Sequence, residues 1–242
     1  PQPWRGGQSS RMASLTIENY VKTIYQLCAD NDNHPALTGK VASALAVSPG
    51  TVTSMLKTLS DSGLAVYTPY EGVQLTDAGR MLALRVLRRH RLIELFLVQT
   101  LRLSWDEVHD EAENMEHAVS DLLIDRIDAF LGHPKTDPHG DPIPRADGTI
   151  AGPVGIPLVD WPLDKPFQLV RVVDQSPEFL RYLVEVGMPL GAVAKVTANR
   201  PAVGVIQVRV GEQSITLASS SAVKLHVADL DNAAAFGANS SS

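Results

Sequence analysis

Residues 37–75 read LTGKVASALAVSPGTVTSMLKTLSDSGLAVYTPYEGVQL, and they decide how the first part of the chain folds. Val41, Ala42 and Leu45 mark the inward side of a short helix over Leu37–Leu45. Ser48 is a good N-cap and Pro49 suits the first helical position. Val52, Met55, Leu56 and Leu59 then recur at helical spacing to about Ser62, where Gly63 supplies the stop. Leu64–Tyr67 and Val73–Leu75 bracket Thr68–Gly72, a pattern that predicts a hairpin. Upstream, Leu15, Ile17, Tyr20, Val21, Ile24, Tyr25 and Leu27 predict an amphipathic helix. Helix, helix, capped helix and hairpin in this order predict a winged helix-turn-helix over residues 14–75. Ser48, Gly50, Thr51, Thr53 and Ser54 would face the major groove of a duplex, with Lys40 and Lys57 near phosphates.

The rest of the chain divides by composition. Residues 76–132 are helical in pattern and nearly free of Gly and Pro, and residues 133–166 are rich in both and read as a long linker. Phe167–Val173, Ala192–Thr197, Val203–Val210, Ser214–Leu217 and Val223–Val227 read as five short strands. A short helix is expected after Pro177, ended by Gly187. Residues 1–13 read as a disordered leader or a cloning remnant, since the first Met is residue 12, and 228–242 as a flexible tail. The single Cys28, the lack of a signal-peptide core and the lack of a long apolar run predict a cytoplasmic protein that does not enter a membrane. The net charge is −6, and residues 14–75 hold three Lys against five Asp or Glu. Non-specific affinity for nucleic acid should therefore be weak. Arg80, Arg85, Arg88, Arg89 and Arg91 are the available compensation.

The chemistry lies in residues 80–117. His90 and Glu94 are four apart on one predicted helix. Ser104-Trp105-Asp106-Glu107 forms a capping box that opens the next, where His109, Glu113, Glu116 and His117 share one stripe. No Lys or Arg lies between Leu103 and Ile124. Imidazoles and carboxylates in line repel unless a cation sits among them, so the pattern predicts divalent metal. No His-Glu-x-x-His spacing occurs, and only Glu113 and His117 approach the pairing of a di-metal carboxylate enzyme. That enzyme is the alternative function.

Arg89-His90-Arg91-Leu92 with Glu94, Val108-His109-Asp110-Glu111-Ala112-Glu113, Glu116-His117 and Ser120-Asp121 resemble the diphtheria toxin repressor family of iron- and manganese-dependent regulators. Pro138-His139-Gly140-Asp141-Pro142-Ile143-Pro144 resembles that family's linker. The resemblance covers about residues 15–227. It implies a winged helix at 14–75, a helical dimerisation and metal-binding segment with linker at 76–150, and an SH3-like β-barrel at 165–227. The implied fold class is mainly α with small β parts. It further implies a homodimeric repressor that binds palindromic operator DNA when loaded with metal and controls metal-homeostasis genes. One metal site would use His90, Glu94 and His109, completed by Gln175 and Glu178. The other would use Asn19, Glu113, Glu116 and His117. Iron-selective members carry sulfur ligands where this chain has Asn19 and Glu113, so the oxygen donors favour Mn(II), with Fe(II) as the second choice. Lys22 stands where members with a closely paired two-metal site have an acid.

Overall fold

The computed structural model describes residues 6–152 and 155–233. They form two compact units, one running up to residue 88 together with 144–148, the other comprising 89–143 and the residues from 149 onward.

In the first unit, α1 (Gly6–Ala29), α2 (Thr38–Ala44) and α3 (Pro49–Asp61) precede the antiparallel pair β1 (Ala65–Thr68) and β2 (Gly72–Leu75). Ser48 caps α3 by accepting the Thr51 N–H at 3.1 Å, and Pro49 stands at the first helical position. Val52, Leu56 and Leu59 of α3 are fully buried against Val21 and Ile24 of α1 and Val41 of α2. Each such side chain contributes about 1.5–3 kcal/mol on leaving water. Val73 of β2 bridges to Ala36, which joins the hairpin to the segment before α2. The expected leader is corrected here: α1 begins at Gly6, so residues 6–13 are helical. Residues 8–13 contain no Gly or Pro, and extending an existing helix costs far less than nucleating one. Residues 1–5 of that leader and 234–242 of the expected tail lie outside the described residues.

The long helix α4 (Asp77–Phe96) starts in the first unit, with Thr76 Oγ1 accepting the Gly79 N–H at 3.2 Å, and ends in the second. It continues as a π-helical turn over Leu97–Leu101 and stops at Arg102, whose φ is 62°. Ser104 and Glu107 make half of the expected box, the Ser104 N–H and hydroxyl both donating to the Glu107 carboxylate, and regular helix starts only at α5 (Val108–Met115). α5 is shorter than the sequence stripe suggests. The Met115 carbonyl accepts from both Ala118 and Val119, which tightens the chain before Ser120 caps α6 (Asp121–Phe130).

The expected linker is in part core. Asp137, His139, Gly140, Asp141, Pro142 and Ile143 are buried, and the His139 carbonyl accepts the Val172 N–H at 2.9 Å. The strand-rich part is a six-stranded sheet in the order β3-β8-β4-β5-β6-β7. Its strands are β3 (Ile156–Pro157), β4 (Pro166–Val172), β5 (Val193–Arg200), β6 (Val205–Val210), β7 (Gln213–Ala218) and β8 (Leu225–Ala228). α7 (Pro177–Glu185), α8 (Ser219–Ala222) and α9 (Leu230–Ala233) complete it. Phe167, Leu169, Leu180, Leu183, Val196 and Val208 fill one apolar core. β3 is the strand that the sequence did not announce. At two residues it is too short to show alternation, and it exists because Ile156 pairs with Val227 across sequence.

Candidate metal centre and DNA-facing elements

α4 and α5 bring His90, Glu94 and His109 together in the second unit. Glu94 Oε1 lies 3.0 Å from His90 Nε2 and 3.3 Å from His109 Nδ1, and those two ring nitrogens are 3.2 Å apart. Glu94 is buried at 1% exposure. Burial alone would raise its pKa, but hydrogen bonds from His109 and His90 and the fields of His90 and His139 outweigh it and hold the carboxyl below its usual range. On the other side of the His90 ring, Nδ1 lies 2.6 Å from Glu116 Oε2. If a bound cation displaced the proton from Nε2, His90 would keep its proton on Nδ1, donate to Glu116 and turn Nε2 as a lone pair toward the ion. This is the carboxylate–histidine arrangement that orients a metal-binding imidazole. Glu116, completely buried, also sits 3.3 Å from His117 Nε2 through its other oxygen. His90, Glu113 and Glu116 form a second group in which one donor atom from each lies within 4.8 Å of the others.

A third group was missed by sequence reasoning. Glu94, Asp137 and His139 are all buried, again with donor atoms within 4.8 Å. His139 Nε2 is paired with the Trp105 carbonyl at 2.8 Å, which leaves Nδ1 facing Glu94 Oε2 at 3.9 Å. Nδ1 has no hydrogen-bond partner although it is buried. An orphaned buried imidazole nitrogen beside two carboxylates is what a cation-binding pocket offers. Asp137 Oδ1 accepts the N–H groups of His139 and Asp141, so the loop is wound around this carboxylate. Burial, then the charges of Asp141 and Glu94, push the Asp137 pKa well above the ordinary range. The signal in the sequence was Asp-Pro-His-Gly-Asp, an acid and an imidazole two apart between prolines. All three groups fit a hard divalent ion, since every donor is oxygen or imidazole nitrogen.

Gln175 donates its amide to Asp141 Oδ2 at 2.8 Å, and Arg171 Nε binds the other oxygen of that carboxylate. Glu178 is exposed in the first turn of α7 and joins none of these groups. Asn19 lies half-buried on α1, in the other unit from Glu113, Glu116 and His117. In the helix-turn-helix, Lys40, Ser48, Gly50, Thr51, Ser54 and Lys57 are exposed and Thr53 is half-buried. Three of the hydroxyls are engaged locally: Ser48 Oγ lies 2.8 Å from Thr51 Oγ1, and Thr53 Oγ1 donates to the Pro49 carbonyl at 2.9 Å.

Residues 12–73 match the N-terminal DNA-binding domain of iron-dependent repressors, and residues 76–145 match their metal-binding and dimerisation domain. Residues 156–229 match the FeoA domain. The iron-dependent repressor IdeR of Mycobacterium leprae is 31% identical over 84% of this chain and 92% of its own length. The chain belongs to the diphtheria toxin repressor family. The diphtheria toxin repressor of Corynebacterium glutamicum is 30% identical over 73% of this chain and 81% of its own. A solved manganese-dependent transcriptional repressor in complex with manganese is 38% identical, covers 88% of this chain and all of its own, and superposes with a TM-score of 0.79. The manganese regulator SloR gives 29% identity and a TM-score of 0.73 over 88% of this chain and 98% of its own. The family is regulatory, which removes the di-metal enzyme as a reading. Among the described residues no helix is long and apolar enough to cross a membrane.

Proposed function

We propose that this chain is a cytoplasmic, metal-dependent transcriptional repressor that binds palindromic operator DNA as a homodimer, with Mn(II) as its co-repressor and Fe(II) as the second candidate. The observation that carries this is the set of buried His90 and Glu94 with half-buried His109, and with Glu116 on the far nitrogen of His90, in a chain that also carries a winged helix-turn-helix. Bound metal would supply positive charge where these residues otherwise place like charges side by side. His90, Glu94 and His109 would hold one ion, and Glu94, Asp137 and His139 offer a neighbouring pocket that shares Glu94. Gln175 and Glu178 would complete the first site from the strand-rich domain, and the bond from Gln175 to Asp141 would fasten that domain through hydrogen bonds. Asn19, Glu113, Glu116 and His117 would form the site that ties α1 to the helical segment. With Glu113 and Glu116 neutralised and α1 fixed, the two α3 helices of a dimer would sit one duplex turn apart. Hard donors at Asn19, Glu113 and Asp137 favour manganese over metals that prefer sulfur.

The test is a manganese titration of the full chain in fluorescence anisotropy, using a duplex enriched from a random pool on manganese-loaded protein. Binding should be saturable, dependent on manganese and reversed by a chelator. Equal binding in chelator would remove the metal switch.

A further inference from the structure

We propose that Tyr70, at the tip of the wing, is a further DNA-contacting residue, its phenol hydroxyl donating to a backbone phosphate beside the half-site that α3 reads. The inference rests on the repressor reading and deepens it. β1 and β2 are joined by Pro69, Tyr70 and Glu71, and the Glu71 N–H bonds the Thr68 carbonyl at 3.1 Å. Pro69 takes the second position of this turn and Tyr70 the third, with φ at 69°. A type II turn needs the left-handed region at that third position, and Gly or Asn normally fills it. A tyrosine there is strained, and nothing inside the domain compensates, because the side chain is 101% exposed. A strained residue that returns no internal packing points to a use outside the chain.

The tip is held firmly. A Cβ on Gly72, whose φ is 114°, would lie 2.7 Å from the Ala36 carbonyl oxygen, so β2 is pressed against the Ala36 bridge. That bridge consists of two backbone bonds, of 2.9 and 3.0 Å, between Ala36 and Val73. Tyr70 therefore projects from an anchored ribbon directly after the recognition helix, where winged modules meet the duplex backbone. A phenol has a donor for phosphate oxygen, a flat ring to lie on deoxyribose, and few rotors to freeze. Glu71 beside it is also exposed, so the tip brings no net positive charge. The contact is a hydrogen bond, not an ion pair, and should leave the salt dependence of binding unchanged.

The experiment uses the full chain loaded with manganese, the pool-enriched duplex, and the variants Tyr70→Phe and Tyr70→Asn. Anisotropy should show roughly ten- to hundredfold weaker binding for Tyr70→Phe, the loss of one hydrogen bond to a charged acceptor. Tyr70→Asn should bind at least as weakly while its Tm equals or exceeds that of wild type, since Asn accepts the left-handed region. The slope of log affinity against log salt should match wild type for both, whereas Lys57→Ala should lower it by about one. Tyr70→Phe binding within twofold of wild type overturns the hydrogen bond. A fall in Tm for both variants assigns Tyr70 to the fold and overturns the proposal. A wild-type chain that enriches no duplex overturns the repressor reading and this contact together, which is distinguishable from binding that ignores residue 70.

Discussion

Asp137 is fully enclosed with Arg91 Nε 3.6 Å away and two other carboxylates, Asp141 and Glu94, acting on it. Burial and these like charges raise its pKa, so the folded state disfavours its ionised form. Its contribution to stability is intact below the unfolded pKa near 3.8 and is lost as pH rises through the raised folded value. Asp137→Asn keeps an oxygen for the His139 and Asp141 N–H groups and removes the charge. It should raise the Tm of chelator-treated protein above neutral pH and abolish most of the Tm gain that manganese confers. Scanning fluorimetry with and without chelator reads both. The same proton must leave when Asp137 ligates, so manganese affinity should grow with pH and binding should release protons, visible by calorimetry in buffers of differing ionisation enthalpy. Glu94 behaves oppositely. Its folded pKa is depressed, so its contribution is present above the ordinary carboxylate range near 4.5 and disappears as pH falls below it. Glu116→Gln tests the orienting contact at His90 Nδ1: manganese affinity should fall about 10- to 100-fold while the fold survives.

The elements that the sequence disclosed are those whose stability is local. Ser48, Pro49 and Gly63 delimit α3 through contacts within a few residues, and the 3.6-residue spacing of Val52, Leu56 and Leu59 is itself the packing pattern. The pairing of His90 with Glu94 was legible for the same reason, since spacing on a helix fixes which side chains share a face, whereas His109 joins them from α5. The segment 137–143 was not legible. Its prolines, glycine and polar residues have the composition of an exposed connector, and only long-range packing on β4, Arg91 and Trp105 buries it. Asp137 and His139 were overlooked with it, and the bond from Gln175 to Asp141 was not visible because the two lie 34 residues apart in the chain. Gly140 records the packing directly: its φ is 86°, and a Cβ would stand 2.0 Å from the Val170 carbonyl oxygen. Gly140→Ala should therefore destabilise the protein by about 1–3 kcal/mol, through overpacking and the left-handed backbone together. Because Gly140 separates His139 from Asp141, the variant should also weaken manganese binding. Chemical denaturation with a parallel manganese titration checks both effects.

At the scale of the molecule, a chain of net charge −6 has to approach a polyanion. Its DNA-facing unit carries few lysines, so a single unit should hold a duplex weakly. Two units on one palindrome bind with an effective concentration that a monomer lacks, and that gain is commonly 10²- to 10⁴-fold. The second unit shows a surface suited to this. Leu122, Leu123 and Phe130 of α6 are 69%, 47% and 71% exposed, while Ile124 and Ile127 of the same helix are buried in the core. An apolar stripe left uncovered on the outer side of an amphipathic helix, inside residues that match a dimerisation domain, is the expected contact with a second copy. Phe130 is not a member of the metal groups, although it packs edge-on against Phe96 of α4 with ring centroids 6.1 Å apart. Phe130→Glu would place a charge in the middle of that contact. It should shift sedimentation from dimer to monomer and weaken binding to the enriched duplex on the order of 10²-fold or more. Manganese binding, measured on the same sample, should persist within a few-fold, because Glu94, His90 and His109 come from α4 and α5. A variant that stays dimeric and binds DNA at wild-type affinity would remove α6 from the interface.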